Sequence, residues 1–196
     1  GPSRIWRMAH RLPKPSRLPR HAMSATPATA LHCDKDGILA GTAGAHLVRL
    51  GTPMNERVLA FDEMVGRENW HAPDGELPEV RSISSDRRGT TYVNVRIGGI
   101  ARSSDGGETW LPTIDIEADV QQVLAVPDTD KVIAASARGL EVSEDRGMTW
   151  TTRTDGLGDT SYCRAVALCG DTVLVAATSG PDGEDAALFS GKLTGK

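Results

Sequence analysis

Ser103-Ser104-Asp105-Gly106-Gly107-Glu108-Thr109-Trp110 recurs as Ser143-Glu144-Asp145-Arg146-Gly147-Met148-Thr149-Trp150. Both copies read S-x-D-x-G-x-T-W, and their tryptophans stand 40 residues apart. Trp70 lies the same distance before Trp110, at the end of the degenerate copy Gly66-Arg67-Glu68-Asn69-Trp70, where Val65 replaces the aspartate. A fixed period near 40 residues marks a repeat architecture, and the residues between the copies make the unit β-rich.

The residue types predict a hairpin turn. Asp105 and Asp145 can accept hydrogen bonds from backbone N–H groups further round the turn. Gly107 and Gly147 stand where positive φ is needed. Ser103, Thr109, Ser143 and Thr149 can bond locally to the backbone, and Trp110 and Trp150 supply apolar wedges between neighbouring sheets. All ten residues are assigned structural roles.

Strands follow on either side. Residues 29–33, 38–42 and 46–50 open the first unit, which carries an insertion expected within 51–65. The second runs through 79–84, 91–97 and 100–104; the third through 120–126, 131–137 and 140–144; the fourth through 163–168, 172–178 and 187–193. In the fourth, Ser190 stands where a turn motif would start, with no aspartate after it. The reading is all-β: a β-propeller of four-stranded antiparallel blades over about 29–76, 79–116, 120–157 and 163–196, the last incomplete.

The S-x-D-x-G-x-T-W pattern resembles the Asp-box, or bacterial neuraminidase repeat, of sialidases, sortilin-type receptors, xyloglucanase-like glycosidases and photosystem II assembly factors. Two copies match at each defining position. The resemblance implies a propeller in which the box sits on the outer turn of the blade, away from any catalytic face, so it speaks for fold and not for chemistry.

Composition narrows the field. Only 4% of the 196 residues are aromatic, so the core is built from Val, Leu, Ile and Ala. Residues 1–22 form a basic tail: Gly1-Pro2 has the form of a tag scar, and Arg4, Arg7, Arg11, Lys14, Arg17 and Arg20 follow with no acid. The tail is leader-like, with Met23 as an alternative start, yet Ser3-Arg4-Ile5-Trp6-Arg7-Met8 can also form a strand and pair with the last blade. The rest of the chain has ten more acids than bases, which argues against nucleic-acid binding. No apolar run approaches the ~20 residues that span a bilayer. Cys33, Cys163 and Cys169 have no metal-ligand spacing, and six residues of strand would hold Cys163 and Cys169 roughly 20 Å apart. Reduced thiols suit a cytoplasmic protein.

Candidate chemistry gathers where loops meet at one mouth of the channel. The connections between blades bring His71, Asp74 and Glu76, then Asp115, Glu117 and Asp119, then Asp155 and Asp159; other mouth loops add His46, Arg138, Asp182, Glu184 and Asp185. Arg81 and Arg164 begin equivalent inner strands and Arg96 ends a second strand, an arrangement able to pair a carboxylate. The Arg-Ile-Pro motif of sialidases is missing from the propeller body, and neither Tyr92 nor Tyr162 has an obvious Glu partner. His32 and Cys33, adjacent on a strand, point to opposite faces and form no thiol–imidazole pair. There is no G-x-S-x-G, H-E-x-x-H or phosphate-loop motif.

The expectation is a ligand-binding or assembly scaffold, with no cofactor and no metal. Its partners are expected to be a second copy or another chain closing the propeller, and a glycan or anionic small molecule. The alternative is a hydrolase at the loop mouth, glycosidase-like with two carboxylates or metal-dependent through His46 and His71.

Overall fold

The computed structural model describes residues 26–51, 56–183 and 185–193. The readings made for residues 1–22, and for Glu184, lie outside them. Four antiparallel sheets follow one another along the chain. The first holds β1 (Ala28–Asp34), β2 (Gly37–Thr42), β3 (Leu47–Leu50) and β4 (Glu56–Arg57). The second holds β5 (Val80–Ser85), β6 (Thr91–Val95), β7 (Gly99–Ser103) and β8 (Leu111–Pro112). The third holds β9 (Val120–Ala125), β10 (Val132–Ser136), β11 (Gly139–Ser143) and β12 (Thr151–Arg153). The fourth holds β13 (Tyr162–Cys169), β14 (Thr172–Thr178) and β15 (Ala187–Lys192). Strands pair in chain order, and the inner strands β1, β5, β9 and β13 pack one on the next. The protein is a β-propeller of antiparallel blades.

Burial explains the pattern. β6 and β10 are buried at every residue, because a sheet covers each of their faces. Three apolar clusters fill the gaps between successive sheets, centred on Leu47, Val80 and Val93, then Ile100, Val120 and Val132, then Ile133, Val166 and Val175. The thiols are free, with Cys163 buried and Cys33 and Cys169 exposed. No helix among the described residues is long and apolar enough to cross a membrane.

The two repeated turns have the same wiring. Asp105 accepts hydrogen bonds from the Ser103 hydroxyl at 2.8 Å, the Thr109 N–H at 3.0 Å and the Thr109 hydroxyl at 2.5 Å. Asp145 accepts from Ser143 at 2.8 Å and from the Thr149 N–H and hydroxyl at 2.8 and 2.6 Å. Gly107 and Gly147 then donate their N–H groups to the Ser103 and Ser143 hydroxyls at 2.9 and 2.7 Å. These donors, the threonine hydroxyls foremost, hold both carboxyls down to about 2. Each indole wedges towards the preceding sheet: Trp110 meets Phe61 edge-on at 5.1 Å, and Trp150 donates to Thr113 at 3.4 Å.

Three details differ from the sequence reading. Trp70 does not close a copy of the turn. It follows β4, whereas Trp110 precedes β8, and it is buried beside Phe61 at 5.4 Å. The 40-residue spacing placed it correctly along the chain but in a different connection. The extra residues of the first unit accordingly extend past 51–65: they lie after β4 and include the helix α1 (Leu59–Asp62) and short turns at Arg67–Asn69 and Pro73–Gly75. Finally, Gly191 opposite Val173 holds the place of Ser103 opposite Thr91 and Ser143 opposite Val132. Ser190 is one residue short of it, and so on the other face of the sheet.

Gly139 has φ +143°, and a Cβ there would lie 2.7 Å from the Arg153 carbonyl oxygen. Gly139→Ala is expected to cost about 1–3 kcal/mol in denaturant unfolding, whereas Gly180→Ala, which meets nothing within 4 Å, leaves stability unchanged. Because Asp105 and Asp145 titrate below their ordinary value of 3.8, their stabilisation is complete above that pH and is lost as pH falls towards 2. The wild-type melting temperature should therefore fall more steeply between pH 4 and 2 than that of the Asp105→Asn/Asp145→Asn variant.

Candidate functional site

The mouth is built from one irregularity used four times. Each inner strand has a bulge near its start, where one residue has no partner in the second strand: Thr29, Arg81, Gln121 and Arg164. A bulge re-aims the side chain it carries. Thr29 donates to the Val80 carbonyl of the next sheet at 2.7 Å. Arg81 donates to the Val120 carbonyl at 3.3 Å and to Asp119 at 3.1 Å. Gln121 donates to the Tyr162 hydroxyl at 3.0 Å. In the fourth sheet Arg164 turns back onto the carbonyls of Gly180, at 3.3 Å, and Pro181, with its guanidinium over the Tyr162 ring at 4.5 Å.

Two of the three sequence-predicted arginines therefore share one cluster with Asp119. Tyr162 joins it, donating its hydroxyl proton to Asp119 Oδ2 at 2.7 Å. Burial, followed by this carboxylate, pushes the Tyr162 phenol up to about 12. The sequence reading sought a Glu partner for Tyr162 and missed Asp119, which comes from the start of the neighbouring inner strand. Gln121 and Thr29 were missed because the four bulge residues are of three types, Thr, Arg and Gln, and leave no common mark in the sequence.

The remaining candidates are placed elsewhere. Arg96 pairs with Glu76 at 2.7 Å, and Arg138 with Asp115 at 2.7 Å; each pair ties an inter-blade connection to a second-to-third-strand turn at the rim. The Arg138 guanidinium holds Asp115 below its ordinary value. His71 is exposed, with Nδ1 3.1 Å from the Asn69 carbonyl oxygen. Asp74 lies in the Pro73–Gly75 turn, and Asp155, Asp159, Asp182 and Asp185 are exposed on loops.

His46 belongs to a separate cluster. Its Nδ1 is 2.7 Å from Asp62 Oδ1, with Arg67 Nη2 3.0 Å from the same nitrogen; Arg57 contacts both Asp62 and the imidazole. With Nδ1–H donating to Asp62, Nε2 is left to accept from Arg57 at 3.2 Å. Two guanidiniums beside the imidazole repel a cation, and His71 is not part of the cluster. No group of three or more His, Cys, Asp or Glu suited to a metal occurs among the described residues.

No family model matches the chain, and no curated protein matches it. Solved structures do. The computationally designed Ika4 protein aligns with TM-score 0.59 and 15% identity over 87% of this chain and 93% of Ika4. A GH74 xyloglucanase from Xanthomonas campestris aligns with TM-score 0.56 and 15% identity over 81% of this chain and 28% of the enzyme. YCF48 bound to D1 peptide aligns with TM-score 0.53 and 14% identity over 87% of this chain and 57% of YCF48. At such identities the likeness establishes the propeller fold alone.

Only two tyrosines are present, and burial raises Tyr92 as well. Tyrosinate absorbance at pH 10 is thus expected to be lower than for free tyrosine, with the Tyr162 component developing towards pH 12. Asp119→Asn should bring the Tyr162 component to lower pH, and unchanged titration would contradict the assigned hydrogen bond.

Proposed function

We propose that the protein is a ligand-binding and assembly scaffold, and that its ligand site is the mouth formed by Arg81, Gln121, Tyr162 and Arg164. The observation that carries this reading is the pairing of the mouth acids. Glu76, Asp115 and Asp119 each face an arginine, whereas a general acid needs a carboxyl kept protonated near neutral pH. Two partly buried arginines, Arg164 with its guanidinium 4.5 Å from the Tyr162 ring centre and Arg81 on the Asp119 carboxylate that Tyr162 also binds, suit a carboxylate or another anionic group, which Arg164 would meet by releasing its loop carbonyls. YCF48 has been solved with a bound peptide, which is consistent with a scaffold on this fold. Calorimetric titration with carboxylate-bearing peptides or acidic sugars should show binding that Arg164→Ala weakens at least tenfold.

The scaffold is proposed to close with a second copy of itself. The face of the fourth sheet that turns away from the third carries Leu174, 43% exposed, and Leu188, 86% exposed; the corresponding outer face of β1 carries Leu31, 66% exposed. Pairing these faces head to tail would give Arg164 a target equivalent to those of Thr29 and Arg81, the carbonyl of Ala28 of the partner subunit. Light scattering at micromolar concentration should give the dimer mass, with Leu174→Glu or Leu31→Glu shifting it to monomer and Leu111→Glu leaving it unchanged. A monomer mass for the wild type would contradict closure by a second copy.

A hydrolase remains the second reading, favoured by one contact: the Tyr162–Asp119 pair, with Arg81 and Arg164 on either side. Turnover of an aryl glycoside lost in Tyr162→Phe would support it over the scaffold.

A further inference from the structure

At the rim opposite the mouth, a cavity of about 320 Å³ lies between the first hairpins of the first two sheets, beside Gly106 of the second sheet's turn. The next interface shows what this place is built to hold. There Arg146, in the box position of Gly106, donates from Nε to Asp86 Oδ2 at 3.1 Å, while its own carbonyl accepts from Arg102 at 2.8 Å. Both partners have counterparts at the cavity. Counted from the bulge residues Thr29 and Arg81, Asp34 stands where Asp86 stands. Arg49 lies opposite Leu39, itself opposite His32, just as Arg102 lies opposite Tyr92, itself opposite Ser84; Arg49 therefore holds the place of Arg102. The turn wiring matches as well. Asp34 Oδ1 accepts from the Asp36 N–H at 2.8 Å, as Asp86 Oδ1 does from the Arg88 N–H at 2.9 Å. Gly106 has no side chain to set between the acid and the arginine.

We propose that this cavity is a docking site for an arginine presented by another polypeptide, its guanidinium on Asp34 and its main-chain carbonyl on Arg49. Arg49 reaches Asp34 through one nitrogen, Nη1, at 3.1 and 3.4 Å from the two carboxylate oxygens. A carboxylate has about four acceptor sites and a guanidinium five N–H donors, so both members of the pair can meet a further group. His32 supplies another acceptor. It lines the cavity, and its Nε2 is buried with no hydrogen-bond partner among the described residues. Burial pushes the imidazole below its ordinary value, which keeps it neutral, and in the Nδ1–H tautomer Nε2 accepts an N–H. The other guanidiniums of the wall are turned to the third sheet's first hairpin, Arg87 on Asp128 at 2.5 Å and Arg88 on Asp130 at 3.1 Å, and Lys35 is exposed.

Calorimetric titration of the full chain with acetyl-arginine methylamide tests the site. Binding is expected in the wild type and in Gly106→Ala, where a Cβ meets nothing within 4 Å. It should be lost in Gly106→Arg, whose own side chain takes the place that Arg146 takes in the next interface, and this variant should melt at or above the temperature of Gly106→Ala. Asp34→Asn, which keeps an acceptor for the turn, should weaken binding at least tenfold. The acetyl-citrulline analogue, of the same shape but uncharged, and methylguanidinium, which lacks the carbonyl, should each bind at least tenfold more weakly than the arginine probe. No binding to the wild type, equal binding by Gly106→Ala and Gly106→Arg, a lower melting temperature for Gly106→Arg, or equal affinity for either analogue would overturn the proposal. So would inorganic phosphate binding in preference to the arginine probe.

Discussion

An inner propeller strand has one edge with no strand beside it, and its backbone groups there need partners. This structure supplies them with side chains from the preceding sheet. Val123 N–H donates to the Ser82 hydroxyl at 3.0 Å, Ala125 N–H to Ser84 at 2.9 Å, and Val166 N–H to Gln122 at 3.0 Å. The carbonyls are met by the bulge residues, Thr29 on Val80 and Arg81 on Val120, with buried Asn94 adding a second donor to Val120 at 2.9 Å. An unmet buried backbone group costs about as much as a lost hydrogen bond. The spacing of the sheets is therefore set at the channel by polar contacts, and the apolar clusters fill in behind.

A second set of contacts locks the opposite rim. Arg146, at φ 60° within the third sheet's turn, reaches Asp86 at 3.1 Å and Thr90 in the second sheet's first hairpin. Its own carbonyl accepts from Arg102 at 2.8 Å and Tyr92 at 3.1 Å. The second sheet's turn has Gly106 at this position, and a cavity of about 320 Å³ opens there towards Asp34 and Arg49 of the first sheet. One substitution within a repeat thus converts a plugged interface into an open one, without disturbing the turn's aspartate network.

Much of the fold was legible because the turn motif and the strand alternation answer to local chemistry. The strands predicted at 91–97, 120–126 and 172–178 coincide with β6, β9 and β14 to within two residues. Trp70 shows where spacing alone misleads: a tryptophan 40 residues before Trp110 is buried as expected, but in a connection that the added helix α1 reshapes. The mouth was half legible. Arg81, Asp119 and Arg164 stand out as charged residues at strand starts. Their junction through Tyr162 depends on bulges, which are properties of pairing between strands and have no residue type of their own.

The central claim is that each sheet is held by the bulge side chain of the one before it. Amide hydrogen exchange on Arg81→Leu tests it most directly. The account predicts faster exchange at the start of β9, in the next sheet, with β1 and β2 keeping wild-type rates. Acceleration confined to β5 itself, or unchanged exchange in β9, would contradict it.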